Sequence, residues 1–146
     1  MTKKDKIKFL DKIAIADTAF EVEGDSLSEL FENSACALTM AMADIDSIGT
    51  SLEREIKLSG KKIDILLFDF LNELLFYKDS ENLLFSKYRV EIKGNIISYE
   101  LTASLSGEKA DPKKHKITTD VKAVTLHMFE FKKQNGIYKA RVIADI

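Results

Sequence analysis

The chain has 146 residues, of which 45% are hydrophobic, and it carries one cysteine and a formal net charge of -2. This length buries a core without disulfide or metal staples, and a lone cysteine is typical of a reducing compartment. The charge balance argues against a protein that coats nucleic acid through overall attraction to phosphate, and no apolar run approaches the length of a membrane span. We therefore expect a cytoplasmic single domain over residues 1–146, with no membrane partner and with residues 1–12 as a flexible or loosely attached segment.

The first half of the chain predicts strands alternating with helices. Residues 18–23 alternate between apolar and polar side chains, as a strand with one wet face does. Ser26 and Glu29 then have the spacing of a capping box, which predicts the start of a helix. Residues 52–58 predict a short strand, and apolar residues at helical spacing from about 62 to 77 predict a second helix with a wide apolar surface. We interpret this helix as wedged between the sheet and its neighbour helix rather than as a partner-binding groove.

The second half predicts only strands. Residues 84–105 alternate with period two on either side of a Lys-Gly-Asn turn, and Asn135-Gly136 predicts a tight hairpin before a last strand over 138–146. Residues 121–131, VKAVTLHMFEF, have two largely apolar faces, which predicts a central strand that is covered on both sides. The order β-α-β-α-β-β-β-β predicts an α+β fold, a two-layer domain with a mainly antiparallel sheet and both helices on one face.

Two aspartates stand at strand ends that the fold could bring together. Asp17 immediately precedes the first strand, and Asp145 ends the last strand, next to Ile146 and its main-chain carboxylate. If the two strands are antiparallel neighbours, these oxygens form a cluster that suits Ca²⁺, Mg²⁺ or Mn²⁺ rather than zinc. The spacing by itself is also that of ordinary strand-end charges, and on spacing alone that plainer interpretation is favoured.

Other chemistry-bearing residues give weaker signals. No glycine-rich phosphate loop occurs, which argues against nucleotide binding by that route. Cys36 falls within the first helix, where a buried thiol is the better interpretation than a nucleophile. His115 and His127 lie outside any Cys/His zinc spacing and are interpreted as loop or sheet histidines.

Several blocks of the sequence are together similar to one known family. They are Ala16-Asp17 leading to GDSLSELFENSACAL, then NELLF, LLFSKYRVEI, TDVKAVTLHMFEF and the closing ARVIADI. In this order and spacing, from Asp17 to Ile146, the chain resembles archease, the small protein cofactor of the RNA-splicing ligase that joins tRNA halves through a guanylylated histidine.

The resemblance implies roles for particular residues. Asp17 matches the last residue of the family's Asp-His-Thr-Ala-Asp motif, and Asp145 with Ile146 matches its Asp-Ile terminus, positions understood to bind a divalent metal, usually calcium. Lys122 matches the lysine of the family's Val-Lys-Ala motif. The resemblance implies that this lysine takes part in activating the ligase.

The first motif departs from the family pattern. Ala14 and Ile15 stand at its histidine and threonine positions, and Asp11 lies two residues too far upstream. Support for Asp17 from neighbouring side chains is therefore expected to differ from that in the family.

The resemblance implies an accessory protein rather than an enzyme, one that promotes guanylylation of the ligase histidine and meets RNA only through the ligase. Two other classes remain open. One is a stand-alone metal-dependent hydrolase built on the same carboxylates, although the sequence offers no convincing general base. The other is an interaction module whose wide second helix binds a partner without metal.

Overall fold

The computed structural model of the chain describes residues 3–10, 17–94 and 97–146. The strands are β1 (Ile7–Leu10), β2 (Asp17–Gly24), β3 (Leu52–Gly60), β4 (Leu83–Gly94), β5 (Tyr99–Lys109), β6 (Ala123–Gln134) and β7 (Ile137–Asp145). The helices are α1 (Leu27–Met40), α2 (Ile63–Glu81) and the short α3 (Pro112–His115), with 3-10 turns at Lys3–Lys6 and Ile45–Ser47. Apart from β1 and α3, the order of strands and helices is the predicted one. None of the described helices is long and apolar enough to cross a membrane.

The strands form two antiparallel sheets, so the predicted α+β class is confirmed and the predicted single sheet is wrong. The first sheet has the order β1-β2-β7-β6, and the second has the order β3-β5-β4. Helix α1 packs against β2 of the first sheet and β4 of the second, while α2 packs against β6 and β3. Both helices thus contact both sheets instead of covering one face of a single sheet. Alternation along a strand shows which residues are buried but not which strands pair. The prediction of a single sheet was wrong for this reason.

Strand β6 lies at an edge of the first sheet, which corrects the prediction that residues 121–131 form its central strand. The inner strands are β2 and β7. Thr125 pairs with Ile143 and Glu130 pairs with Arg141, so four residues of β6 lie opposite a single residue of β7. This bulge interrupts the alternation that suggested two buried faces. The apolar residues within it therefore do not form a buried row.

The segment before β2 is not wholly separate from the sheet. Within residues 1–12, which were expected to be flexible or loosely attached, Ile7–Leu10 form β1 and pair antiparallel with β2. Lys6 adds ion pairs to Asp25 and Glu29. The four-residue strand is too short to be recognised by its alternation.

The helices begin and pack as their sequences indicate. The Ser26 side chain caps α1 by accepting from the Glu29 N–H at 3.1 Å, and Glu29 Oε1 accepts from the Asp25 N–H at 3.0 Å. The predicted cap is confirmed. The Glu29 carboxylate, however, accepts from the N–H of Asp25 rather than from that of Ser26. Phe31 of α1 and Phe70 of α2 are fully buried with ring centroids 5.9 Å apart, so the two helices share one core.

Polar helix side chains cover two sheet edges. Asn72 of α2 makes a pair of hydrogen bonds to Val124 of β6, accepting from its N–H at 3.0 Å and donating to its carbonyl at 3.3 Å. Glu32 of α1 accepts from the Val90 N–H of β4 at 2.9 Å. An unpaired edge strand exposes just such backbone groups, and the two side chains satisfy them. Both edge strands are thereby attached to helices.

His115 is a buried structural residue. Its Nδ1 accepts from the Asp111 N–H at 2.9 Å, so the ring proton is on Nε2, which donates to Glu108 Oε1 at 2.7 Å. The same oxygen accepts from the Gly49 N–H at 2.8 Å and pairs with Lys114 at 2.7 Å. His115 is the last residue of α3, so its interpretation as a loop or sheet histidine is wrong, and the cluster joins the end of β5, α3 and the loop before β3.

The charge of Glu108 makes a testable contribution to stability. The Lys114 ammonium, the Gly49 N–H and His115 lower the pKa of Glu108 from 4.5 to about 2. Because the folded pKa lies below the unfolded one, the stabilisation is complete above about pH 4.5 and is lost as the pH falls towards 2. Glu108→Gln should therefore reduce the free energy of unfolding at pH 7, by an amount that shrinks at pH 3.

Urea unfolding of both proteins at the two pH values measures this difference. Glu91→Gln, an exposed carboxylate on β4, is the matched control and should have little effect at either pH. A deficit for Glu108→Gln that is the same at pH 3 as at pH 7 would contradict the account of the cluster.

Candidate functional site

The predicted meeting of Asp17 and Asp145 is confirmed by the pairing of β2 with β7. The two residues stand directly opposite each other in the antiparallel register. Residues so placed project from the same sheet face, with Cβ atoms about 5 Å apart. Asp145 is exposed and Asp17 is half-buried, so the pair forms an accessible acidic end on the two inner strands of the sheet.

Lys122 lies beside this acidic end. Ala123 of β6 is opposite Asp145, and the Lys122 N–H donates to the Asp145 carbonyl at 2.8 Å. Lys122 was predicted to stand at the start of a central strand. It instead immediately precedes an edge strand. The backbones of Asp17, in β2, and of Lys122, just before β6, therefore lie on either side of Asp145.

The backbone around Lys122 is fixed while its side chain is exposed. Val121 before it is fully buried, and Val124 after it is held by Asn72. The ammonium of Lys122 forms no ion pair within the described ranges, so a role for Lys122 in a salt bridge at the strand end has no support there. A positioned backbone with an exposed ammonium leaves that charge available to a ligand or partner.

The chemistry of the oxygen donors fits a hard cation. Asp17 and Asp145 supply carboxylates on one face, and Ile146 follows with its side chain packed against the core. Oxygen donors of this kind suit Ca²⁺, Mg²⁺ or Mn²⁺. The described residues contain no group of three or more His, Cys, Asp or Glu side chains placed to hold a metal. Among the described residues, Asp17 and Asp145 therefore supply two carboxylates and not a complete set of ligands.

The residues of the altered first motif, Asp11, Ala14 and Ile15, lie outside the described residues. Of the remaining candidates, Cys36 is buried in α1 as predicted, and His127 is exposed in the β6 bulge. Neither belongs to the acidic end.

Sequence analysis missed Asn72, which holds β6 beside the acidic end. A signal was present, because Asn72 falls in a row of α2 whose other members, Ile65, Phe68 and Phe76, are apolar. A single amide in such a row suggests a polar partner nearby, here the Val124 backbone.

Comparisons with known proteins place the chain in a family. The model of the Archease protein family matches residues 8–146. The chain belongs to the archease family. Protein archease of Methanothermobacter thermautotrophicus is 39% identical over 131 residues, covering 90% of this chain and 93% of that protein. Protein archease of Pyrococcus abyssi is 36% identical over 132 residues, covering 90% of this chain and 93% of that protein.

Two solved structures share the archease fold. The solution structure of Methanobacterium thermoautotrophicum protein 1598 has a TM-score of 0.85 and 37% identity, and the match covers 99% of this chain and all of that one. The crystal structure of a Thermotoga maritima archease, described as a possible chaperone, has a TM-score of 0.61 over 94% of this chain and 96% of that one. At 21% identity the second likeness shows the fold alone. The resemblance on which the sequence analysis relied is thus confirmed.

Proposed function

We propose that this archease-family protein activates an RNA-splicing ligase by promoting guanylylation of the ligase histidine. One observation carries the proposal. The backbones of Asp17 and Lys122, which are far apart in sequence and lie in blocks that resemble the family, both adjoin Asp145 at one end of the first sheet. The ligase carries out the bond making and contacts the RNA, and this chain supplies charged groups.

The carboxylates of Asp17, Asp145 and Ile146 hold a divalent cation, most readily calcium, with magnesium or manganese as alternatives. A cation held there would supply positive charge that offsets the negative charge of phosphate. Asp145 is paired with Asp17 on one side and with Ala123 on the other, so its backbone is held in place. Without a cation, side chains of like charge in directly opposite positions repel each other.

Lys122 stabilises negative charge that develops on phosphate during nucleotidyl transfer. Its ammonium has three donors and a compact charge, and the side chain is exposed. Donors that are positioned before the reaction lower its barrier because no reorganisation is needed as charge develops. Lys122 is therefore proposed as the activating residue of the chain.

A hydrolase acting alone would need a general base at the acidic end. His115 cannot serve, because it is fully buried and both of its ring nitrogens are engaged. We propose an activator with no substrate turnover of its own, as the resemblance to the family implies.

The proposal is tested by RNA joining over many turnovers. A purified RNA-splicing ligase would be given two RNA fragments and GTP, with and without this protein. Because each turnover consumes one guanylylated histidine, we expect the protein to raise the number of products formed per ligase. The same number of products with and without it would count against the proposed function.

A further inference from the structure

The chain reaches Lys122 through a segment without regular secondary structure. Residues 118–122 belong to no helix or strand, and segments of this kind are generally more mobile than helices and strands. At one end the Thr118 N–H donates to the Met42 carbonyl at 3.0 Å, and at the other the Lys122 N–H donates to the Asp145 carbonyl at 2.8 Å. Between these two hydrogen bonds, side chains determine where the segment lies.

One ion pair ties the middle of this segment to α2. Lys78, in the last turn of α2, donates from Nζ to Asp120 Oδ1 at 2.5 Å and pairs with Asp79 at 2.9 Å. The Lys78 side chain is only 12% exposed, whereas lysine side chains usually lie in water. Lys78 is thus largely shielded from water, and it holds a carboxylate two residues before Lys122.

Helix α2 holds the chain on both sides of Lys122. Lys78 pairs with Asp120, two residues before Lys122, and Asn72 bonds the backbone of Val124, two residues after it. The Lys122 side chain is exposed, so the placement of its backbone determines which positions its ammonium can reach. Two contacts with α2 therefore set the reach of that ammonium.

We infer that Lys78 positions Lys122 for ligase activation, acting through its ion pair with Asp120. The inference rests on the proposed function and adds a positioning residue to it. Lys78 itself does not contact phosphate, because two carboxylates already engage its ammonium. Groups that stabilise developing charge must be held within about 0.5 Å of the productive position. Loss of the ion pair would release Asp120 and, with it, the backbone that carries Lys122.

A second ion pair at the same end of α2 provides a matched control. Glu81, the last residue of α2, pairs with Arg54 of β3 at 2.8 Å, and both side chains are partly exposed. Each ion pair ties the end of α2 to a distant part of the chain, but that of Glu81 leads to the second sheet and not to Lys122. Glu81→Gln therefore breaks a comparable contact away from the proposed site.

The test is a titration of purified RNA-splicing ligase with this protein, measuring the rate of guanylylation at each concentration. Lys78→Met should lower the maximal rate about tenfold at an unchanged half-maximal concentration, because the bound protein presents a misplaced Lys122. Lys78→Arg keeps the charge and should restore part of the rate. Glu81→Gln should keep the wild-type maximal rate. A variant that is merely less folded behaves differently, since unfolded molecules dilute the active ones and raise only the half-maximal concentration.

The partner residue gives an independent check. Asp120→Asn should lower the maximal rate as much as Lys78→Met does, and the double variant should lose no more, because each change breaks the same contact. Calorimetric titration with Ca²⁺ should give Asp120→Asn the wild-type affinity. A weakened affinity would mean that Asp120 acts at the cation, and the inference would be overturned.

Amide hydrogen exchange reports the position of Lys122 directly. The Lys122 N–H is bonded to the Asp145 carbonyl, and it should exchange faster in Lys78→Met than in the wild type. The Val90 N–H, which is bonded to the Glu32 side chain, should exchange at the wild-type rate. In Glu81→Gln, the Lys122 N–H should exchange as in the wild type.

The outcomes for Lys78 and for the proposed function are distinguishable. A wild-type maximal rate in Lys78→Met would overturn the inference and leave the proposed function intact. So would a lower maximal rate with unchanged exchange at Lys122, or an equal loss of rate in Glu81→Gln. If the wild-type protein gives no stimulation, the proposed function fails and the inference fails with it.

Discussion

Replacing Lys122 by alanine should slow guanylylation of the ligase histidine by about 100-fold or more, the loss typical of a positioned donor. The free energy of unfolding should change by no more than about 1 kcal/mol, since exposed charges contribute little to stability. Both expectations follow from the structure around Lys122, which fixes the backbone and leaves the ammonium exposed.

Two further variants test whether the effect of Lys122→Ala depends on this position and on an ammonium group. Lys132→Ala removes an exposed ammonium from the same strand, away from the acidic end, and should leave activation unchanged. Lys122→Arg keeps the charge but replaces a compact ammonium with a planar guanidinium, so activation should be restored only in part. Wild-type activation by Lys122→Ala would remove Lys122 from the mechanism.

Replacing Asp145 by asparagine should weaken the binding of Ca²⁺ and Mn²⁺ by about 10-fold or more, since even groups that only support metal ligands cost 10- to 100-fold when lost. Asparagine keeps the size of the side chain and removes its charge, and Asp145 is exposed, so the fold should be unaffected. Calorimetric titration with each cation measures the affinity, with Glu91→Gln on the second sheet as the control.

A double-mutant comparison shows whether the two aspartates bind the same ion. Asp17→Asn should cause a loss similar to that of Asp145→Asn, because the residues stand opposite each other on one face. If they share an ion, the double variant should lose less binding free energy than the sum of the losses in the two single variants, as expected for coupled residues. Wild-type affinity in both single variants would show that the aspartates are ordinary strand-end charges.

Local features of the fold could be predicted from the sequence because neighbouring residues determine them. The cap of α1 needs only Ser26 and Glu29, and the hairpin before β7 needs only Asn135 and Gly136, which adopt φ values of 54° and 78°. The meeting of Asp17 with Asp145 was also predictable, since it required only that the first predicted strand and the last lie antiparallel.

The division into two sheets could not be predicted in this way. Strand pairing depends on contacts between residues distant in sequence, and a period-two pattern does not identify the partner strand. The bulge of β6 shows a second limit. Leu126 and Met128 continue the alternation of VKAVTLHMFEF, yet both side chains are exposed. A bulge changes the sheet face from which a side chain projects, and the sequence pattern does not reveal that change. The hydrogen bonding of the Asn72 side chain to the Val124 backbone likewise arises only from tertiary packing.

The most direct measurement is the rate at which the ligase histidine acquires GMP. Ligase and labelled GTP would be mixed with a divalent cation but without RNA, and the labelled ligase would be quantified over time with and without this protein. The account predicts faster labelling with wild-type protein, and much slower labelling when Lys122→Ala or the Asp17→Asn/Asp145→Asn double variant replaces it. Equal rates with and without the wild-type protein would contradict it.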